Sequence, residues 1–277
     1  MGRPKIKKDA VEKRFEISLV ERGMSPNTRE TYIFAVRQFR KQFKTFNKTN
    51  LLLYRNWLIE NFTAKTANVR ITAINVYLEF IEHKEWSIKV FKIQQKPFLE
   101  NVISEADYEF LKKKLKKDGD MEGYFTVRFL GATGARISEF LQLKVEHVYA
   151  GYFDLYGKGS KMRRLYIPEA LQKDALRWLR KEKRTTGYLI ATKDGEKFTR
   201  EGITQRLKRY AKKYGLDSKC VYPHSFRHRF AKNFLAKFND ISFLADLMGH
   251  ESIETTRIYL RKSSTEQREI VDKVITW

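Results

Sequence analysis

Charged residues interrupt this 277-residue chain so often that its longest uncharged stretches, 71–78 and 185–192, are only eight residues long. A membrane-spanning helix needs about 20 consecutive apolar residues, so we expect none here. The basic residues 1–8 are not followed by an apolar segment, which argues against a secretory signal. Frequent charge combined with 42% apolar residues predicts amphipathic elements packed around real cores. We therefore expect a soluble, cytoplasmic protein, associated with the nucleoid if its partner is DNA.

The excess of positive charge predicts a polyanionic partner. The chain carries 56 Lys and Arg against 33 Asp and Glu, a net charge of +23. Residues 1–97 contain 20 basic and 9 acidic side chains, and residues 98–277 contain 36 and 24, so the two parts carry +11 and +12. An even division favours two basic bodies on one duplex over a basic tail on a neutral enzyme. A generally Lys-rich proteome is the alternative explanation.

Two classes of bound group are not expected. The single cysteine, Cys220, cannot form an internal disulfide or a thiolate zinc cluster, and no other metal-binding cluster stands out. The run Gly157-Lys158-Gly159-Ser160-Lys161 lacks the GxxxxGK[ST] spacing of a nucleotide-binding loop. We expect neither a metal nor a cofactor.

The apolar spacing predicts two domains, residues 1–97 and 98–277, with a mainly α fold and a small β-hairpin. Residues 1–97 read as a compact four-helix domain, with Ser25 as an N-cap before Pro26 and a linker at 89–100. In the second part, 145–156 and 162–167 read as strands around the Gly157 turn. Helices are predicted on either side of this hairpin, at 104–115, 122–132, 169–181, 200–214, 223–238, 241–248, 252–261 and 265–275.

The segment from Pro223 to His228, with the letters PHSFRH, places His224 and Arg227 near the start of a helix. Free N–H groups and the helix dipole already attract anions at that end. A guanidinium can bind two phosphate oxygens and an imidazole can exchange a proton, so the pair suits a phosphate. One surface histidine and one solvated arginine are the alternative.

Three further segments are ambiguous alone. In TGARISE, Gly134 ends one helix and Arg136 starts the next with Glu139 one turn on, which also fits an ordinary ion pair at a helix corner. Lys158 on a hairpin tip could deliver a proton to a leaving oxygen. In LMGH, Gly249 ends a helix before His250, a pattern shared with helix-turn-helix readers, and Tyr259 follows nine residues later.

Taken in order, TGARISE, the GKGSK hairpin, HSFRH, LMGH and the downstream tyrosine resemble the catalytic domain of tyrosine site-specific recombinases and integrases, closest to short Xer-type members. The likeness spans residues 100–260, and the first part is similar in pattern to the family's SAM-like core-binding domain. It implies two domains that form a C-shaped clamp on DNA, and strand cleavage and rejoining through a covalent 3′-phosphotyrosine without ATP or metal.

Carried over by residue, the resemblance makes Tyr259 the nucleophile and Arg136 and Arg227 the phosphate clamp. It also makes His224 and His250 proton-handling and phosphate-binding partners. Charge that accumulates on the phosphodiester can be stabilised by two guanidiniums and two imidazoles.

The resemblance assigns Lys158 as the general acid for the leaving 5′-hydroxyl. It also implies that the helix at 265–275 docks on a neighbouring subunit, which predicts a homotetramer on two DNA recombination sites. The target sequence, the biological role and any accessory proteins are left open. Arg229 departs from the family pattern, since many relatives carry a small hydroxyl residue there.

Two other functions compete with the recombinase. A helix-turn-helix regulator without catalysis would use the Gly249 turn. Such a regulator would not require all six assigned residues to occur together in one chain. A related enzyme that only relaxes supercoils would need them, but the N-terminal domain favours site-specific work.

Overall fold

The computed structural model describes residues 10–93, 101–156, 162–260 and 264–275. The chain separates into two compact units, Met1–Gln95 and Lys96–Trp277. The structure is mainly helical with one small antiparallel sheet, as the sequence predicts. Among the described residues, no helix is both long enough and apolar enough to cross a bilayer.

In its described residues, 10–93, the N-terminal unit is a four-helix body with an aromatic core. Its helices are α1 (Ala10–Glu21), α2 (Pro26–Phe43), α3 (Lys48–Asn61) and α4 (Ala64–Phe80), followed by a 3₁₀ turn at Lys84–Trp86. Ser25 accepts a hydrogen bond from the backbone of Thr28, which confirms it as the N-cap of α2. Phe39 is fully buried and stacks on Phe46 with 4.2 Å between ring centroids.

The chain leaves this unit later than the loss of periodicity at residue 89 suggests. Asn75 exchanges two hydrogen bonds with the backbone of Ile88, at 2.9 and 3.0 Å. Asn68 does the same with Phe91, at 2.8 and 2.7 Å. These two amides satisfy an extended segment that has no helix or strand of its own, so residues 88–91 belong to the N-terminal unit.

The C-terminal unit places one β-hairpin among ten helices in its described residues. They are α5 (Glu105–Lys117), α6 (Met121–Thr133), α7 (Ile137–Phe140), α8 (Val145–Ala150), α9 (Glu169–Lys181), α10 (Arg200–Tyr214), α11 (Pro223–Lys237), α12 (Ile241–Met248), α13 (Ile253–Arg257) and α14 (Ser264–Val274). A 3₁₀ turn at Ile258–Leu260 follows α13. The strands β1 (Tyr152–Tyr156) and β2 (Met162–Tyr166) pair with Leu155 opposite Arg163.

The prediction of a strand over 145–156 is wrong in its first half. Val145 and Val148 are both buried, and their spacing of three places them on one face of the short helix α8. Gly151, at φ +80°, ends that helix and lets the chain turn into β1. Packing at a period of three outweighs the β-propensity of these valines.

Two apolar clusters support the C-terminal unit. The larger one joins α5, α6 and α8–α10 and includes Phe226 of α11. The smaller one lies between α11 and α12 and consists of Ala231, Leu235, Leu244, Met248 and Tyr259. Tyr259 is therefore held by packing beside the C-terminal end of α12.

Candidate active site

Three consecutive backbone carbonyls at the end of α12 each accept a hydrogen bond from a different arginine. Leu247 accepts from Arg163 at 2.9 Å, Met248 from Arg227 at 2.8 Å, and Gly249 from Arg136 at 2.7 Å. The last carbonyls of a helix lack partners within the helix and carry the negative end of its dipole. They can therefore hold guanidiniums together that would otherwise repel one another.

The glycine after α12 makes this arrangement possible. Gly249 lies at φ +61°, in the left-handed region, so the chain turns sharply there. A Cβ at this position would lie 2.7 Å from Cδ of Arg163. Gly249 thus provides both the turn and the space for one of the three arginines.

Arg227 lies at the centre of the cluster and is 3% exposed. Pro223 occupies the first turn of α11 and Arg227 follows one turn later. Besides Met248, its guanidinium donates to the carbonyl of Gly134 at 2.6 Å and to Nε2 of His250 at 2.9 Å. Burial, together with the charge of Arg136, lowers the pKa of Arg227 to about 10.

Arg136 enters the site from the turn between α6 and α7. Gly134 ends α6 at φ +63° and lies so close to Phe230 that a Cβ would be 2.4 Å from that ring. Glu139 then receives two bonds from Arg136, one from its backbone N–H at 2.7 Å and one from its guanidinium at 2.9 Å. The Arg136 side chain remains 36% exposed, so it can reach a ligand.

Among the carboxylates of the described residues, Glu139 is the one that contacts two of the three arginines. Its second partner is Arg163, at 2.6 Å. Burial alone would raise the pKa of the Glu139 carboxyl, but Arg163 and the bonds from Arg136 outweigh it and hold that pKa below its usual range. Glu139 is therefore ionised and offsets part of the positive charge.

His250 is fixed as a neutral ring by its two neighbours. A guanidinium can only donate, so Nε2 of His250 accepts from Arg227. Nδ1 then carries the proton and donates to Oγ1 of Thr256 at 2.7 Å. Burial and the charges of Arg227 and Arg136 lower the pKa of His250 to about 4, in agreement with the neutral tautomer.

Tyr259 sits beside these groups on the 3₁₀ turn and is 5% exposed. The interpretation that it lies in a regular helix is wrong, because α13 ends at Arg257. Its ring lies 6.2 Å from that of His250, nearly parallel to it. Burial raises the pKa of the phenol, and the Arg227 guanidinium opposes that rise.

The histidines of α11 lie one turn apart. His224 is exposed as a residue, but the protein partly desolvates its ring. This desolvation, with the charges of Arg227 and Arg136, lowers the pKa of His224. His228 is half-buried, its ring is 5.5 Å from Tyr259, and its Nδ1 has no hydrogen-bond partner in the described structure. Burial, together with the charges of His224 and Arg227, lowers the pKa of His228 to about 4.

Five of the six predicted site residues therefore lie in one region of the C-terminal unit. Lys158, the sixth, lies outside the described residues. Arg163 and His228 also lie in this region, although neither is among the six predicted residues. His228 could have been found as the last residue of HSFRH, whereas Arg163 carries no local signal.

The model of the phage integrase family matches residues 101–266, which contain all six predicted residues. The chain belongs to the phage integrase family. Tyrosine recombinase XerA of Pyrococcus furiosus is 27% identical over 278 residues, which cover 98% of this chain and 96% of XerA. This integrase is an Xer-like tyrosine recombinase, an enzyme of site-specific recombination.

Solved structures share the fold of this recombinase. The Tn1549 transposon integrase, in complex with transposon right end DNA, gives a TM-score of 0.71 at 17% identity, over 95% of this chain and 99% of that one. The XerH site-specific recombinase bound to difH substrate gives 0.67 at 17% identity, over 94% and 83% of the two chains. The comparisons do not favour the alternative of a regulator without catalysis.

Proposed function

We propose that this recombinase binds DNA recombination sites and cleaves them with Tyr259, and that Arg136, Lys158, His224, Arg227 and His250 assist. The observation that carries the proposal is the buried tyrosine beside arginines that share the carbonyls of one helix end. Cations gathered at such cost to folding favour an anion as the missing partner. The phosphodiester of DNA is the anion that a chain of net charge +23 would meet.

The cleavage step is a substitution at phosphorus. The Tyr259 oxygen forms a bond to the phosphorus, and the bond from phosphorus to the 5′ oxygen breaks. The phenol proton passes to the neutral imidazole of His224, and Lys158 gives a proton to the leaving 5′ oxygen. Attack by a 5′-hydroxyl of another strand reverses these steps, and the phosphotyrosine conserves the bond energy for rejoining.

The arginines act on the charge that develops in this step. Arg136 and Arg227 would each donate to a non-bridging oxygen. His250, whose Nε2 accepts from Arg227 in the free protein, would join them once the phosphate binds and Nε2 takes up a proton. Because the donors are already oriented, little reorganisation is needed when the charge appears. Removing one such donor typically lowers a rate on the order of 10²–10³-fold.

We propose double-stranded DNA as the partner of both units, with the N-terminal unit as core-binding domain and the C-terminal unit as catalytic domain. The related transposon integrase and XerH were solved with DNA, and each part of this chain carries a similar net positive charge. The chain would act in the cytoplasm, where such sites are accessible.

We also propose a tetramer on paired sites, joined through α14. Val271, Val274 and Ile275 are 52%, 58% and 49% exposed in the single chain, which leaves an apolar stripe for a neighbouring subunit. Truncation after Lys262 should leave binding to one site intact and weaken assembly on two sites, as measured by native gel shift. Unchanged recombination by the truncated chain would contradict this role of α14.

Covalent trapping tests the nucleophile. Genomic DNA of the source organism, sheared and nicked at random, provides the substrate pool, because a nick beside the cleavage site releases a short strand and prevents rejoining. Native chain should form labelled DNA adducts that resist detergent, and Tyr259→Phe should form none. Tyr149→Phe is the matched control, since Tyr149 is exposed on α8 and should trap DNA like the native chain.

Two outcomes would contradict the proposal. Adducts with Tyr259→Phe would mean that another residue attacks the phosphorus. Absence of adducts with the native chain, under conditions where it binds the same DNA, would remove the cleavage proposal altogether.

A further inference from the structure

Arg163 is the arginine of the cluster that the proposed cleavage step does not use. It lies on β2, opposite Leu155, and its side chain is 12% exposed. One guanidinium nitrogen donates to the carbonyl of Leu247 at 2.9 Å, and the other lies 2.6 Å from a carboxylate oxygen of Glu139. Its charged end is thus occupied by protein groups and has little surface left for a phosphate.

The two partners of Arg163 are the groups that hold the proposed phosphate clamp. Glu139 bonds the backbone and the guanidinium of Arg136. Leu247 precedes the two residues whose carbonyls bind Arg227 and Arg136. Arg163 therefore ties β2 to both supports of the clamp.

The location of Arg163 is costly to folding by itself. It adds a second desolvated cation next to Arg227 and the partly exposed Arg136, and burial, with Glu139 opposing it, lowers the pKa of its guanidinium. An apolar residue could fill the same volume without desolvating a charge. A guanidinium with one nitrogen on the Leu247 carbonyl and the other in ion-pair contact with Glu139 offers what an apolar residue cannot, which is a fixed distance between a carboxylate and a helix end.

We infer that Arg163 is a positioning residue, which holds Glu139 and the carbonyl end of α12 at the spacing that orients Arg136 toward the scissile phosphate. The inference rests on the proposed function for its link to cleavage. Its structural part, the fixed orientation of Arg136, does not depend on cleavage and can be measured separately.

The next residue provides a matched control. Arg164 is also on β2, and it forms a two-bond ion pair with Asp154 at 2.7 and 2.8 Å on the hairpin itself. Its side chain is 38% exposed. Arg164→Gln therefore removes the same charge from the same strand, but the bonds that it breaks are those to Asp154 and not bonds to Glu139 or α12.

Single-turnover trapping measures the effect on cleavage. With nicked DNA at saturating concentration, Arg163→Gln should form the Tyr259 adduct about 10–100-fold more slowly, because a small misplacement of a catalytic group carries a penalty of that order. Binding to the same DNA should change less than threefold. Arg164→Gln should cleave within twofold of the native rate, and Arg163→Lys should recover only part of the loss because an ammonium lacks the planar fork.

A substrate with sulfur at the 5′ bridging position separates this role from one in leaving-group protonation, because a thiolate leaves without a proton. The rate of Arg163→Gln should stay depressed on this substrate. Restoration to the native rate would overturn the inference, because it would mean that Arg163 assists protonation of the leaving oxygen and not the orientation of Arg136.

Guanidinium resonances in ¹⁵N NMR test the structural part on the free protein. A guanidinium held by two partners rotates slowly and gives separate Nη signals. The Arg136 signals, assigned with Arg136→Lys, should merge in Arg163→Gln and stay separate in Arg164→Gln. If Arg163→Gln kept both separate Arg136 signals and the native cleavage rate, the inference would be overturned. If the native protein showed separate Arg136 signals but formed no DNA adduct, only the proposed function would be contradicted.

Discussion

Arg70 in the N-terminal unit and Arg227 in the C-terminal unit are both arginines whose pKa is lowered first by burial. Arg70 lies flat on the ring of Phe62, 3.7 Å from its centroid, and donates to Gln38 at 2.8 Å. Arg227 instead binds two backbone carbonyls and an imidazole, with a second cation nearby.

The difference separates a structural arginine from one prepared for a ligand. The partners of Arg70, Phe62 and Gln38, are neutral side chains of its own unit. They surround its guanidinium without bringing a second cation close to it. Arg227 lies among charges of its own sign, and Glu139 offsets only part of them. An anion in this site would therefore relieve a repulsion that folding leaves in place.

The largest expected effect comes from the same substitution at both positions. Arg227→Lys should lower the rate of adduct formation at saturating DNA by about 10²–10³-fold, because one ammonium cannot replace the directed donors. Arg70→Lys should stay within twofold in rate and lose about 1 kcal/mol of unfolding free energy from the lost ring contact. Trapping kinetics and urea unfolding measure the two effects, and equal rate losses would erase the distinction.

One glycine from each unit extends the comparison of the two units to the free energy of unfolding. Gly134 and Gly23 both have positive φ, but a Cβ would meet Phe230 at 2.4 Å in the first case and nothing within 4 Å in the second. Gly134→Ala should lose about 2–5 kcal/mol of unfolding free energy from strain and overpacking. Gly23→Ala should lose about 1–2 kcal/mol from the backbone alone. Urea unfolding of each variant checks this, and equal losses would mean that Phe230 simply moves aside.

The smallest expected effect is a loss of stability in mild acid that is confined to the C-terminal unit. Four of the five histidines lie there, and the pKa of each is lowered, to about 4 for His228 and His250. Between pH 6.5 and about 4.5 the unfolded chain binds these protons and the folded one does not, so stability falls as pH falls. We expect a loss of about 1–3 kcal/mol for the two buried rings together.

Hydrogen exchange of amides in α11 and α4 measures the two units in one sample. Protection in α11 should decrease over this pH range while protection in α4 stays level. The double variant His228→Gln/His250→Gln should flatten the response of α11, since glutamine does not titrate. A parallel decrease in both helices would assign the effect to groups other than these histidines.

Local signals were sufficient for most of the fold. The predicted spans of α9, α10 and α12 agree with the structure at both ends. A side-chain cap and a glycine mark the two ends of α10 and of α12, whereas α9 has only Pro168 before its first residue. The pattern of α8 is ambiguous, because its valines also suit a strand and only their burial on one face favours a helix. The mainly α fold with one hairpin was predictable, and this short helix was not.

The site was predictable only where its residues stand in short motifs. Arg136 and Arg227 could be selected because each lies in a recognisable run of letters. Arg163 contacts a carbonyl 84 positions away in the chain, and no local pattern encodes such a distance. The catalytic roles of the selected residues stay predictions until trapping tests them.

The acceptors that gather the three arginines are main-chain oxygens, and this limits what mutagenesis can reveal. An alanine scan of α12 would change the packing of Leu244 and Met248, yet every variant would keep the carbonyls of residues 247–249. A helix that tolerates alanine at every position can still be indispensable to the site through its carbonyl groups. Replacing the amide between Met248 and Gly249 by an ester would weaken the acceptor for Arg227 and remove the N–H that Gly249 donates to Asp246, without altering any side chain. It would show a main-chain contribution that a codon change cannot reach.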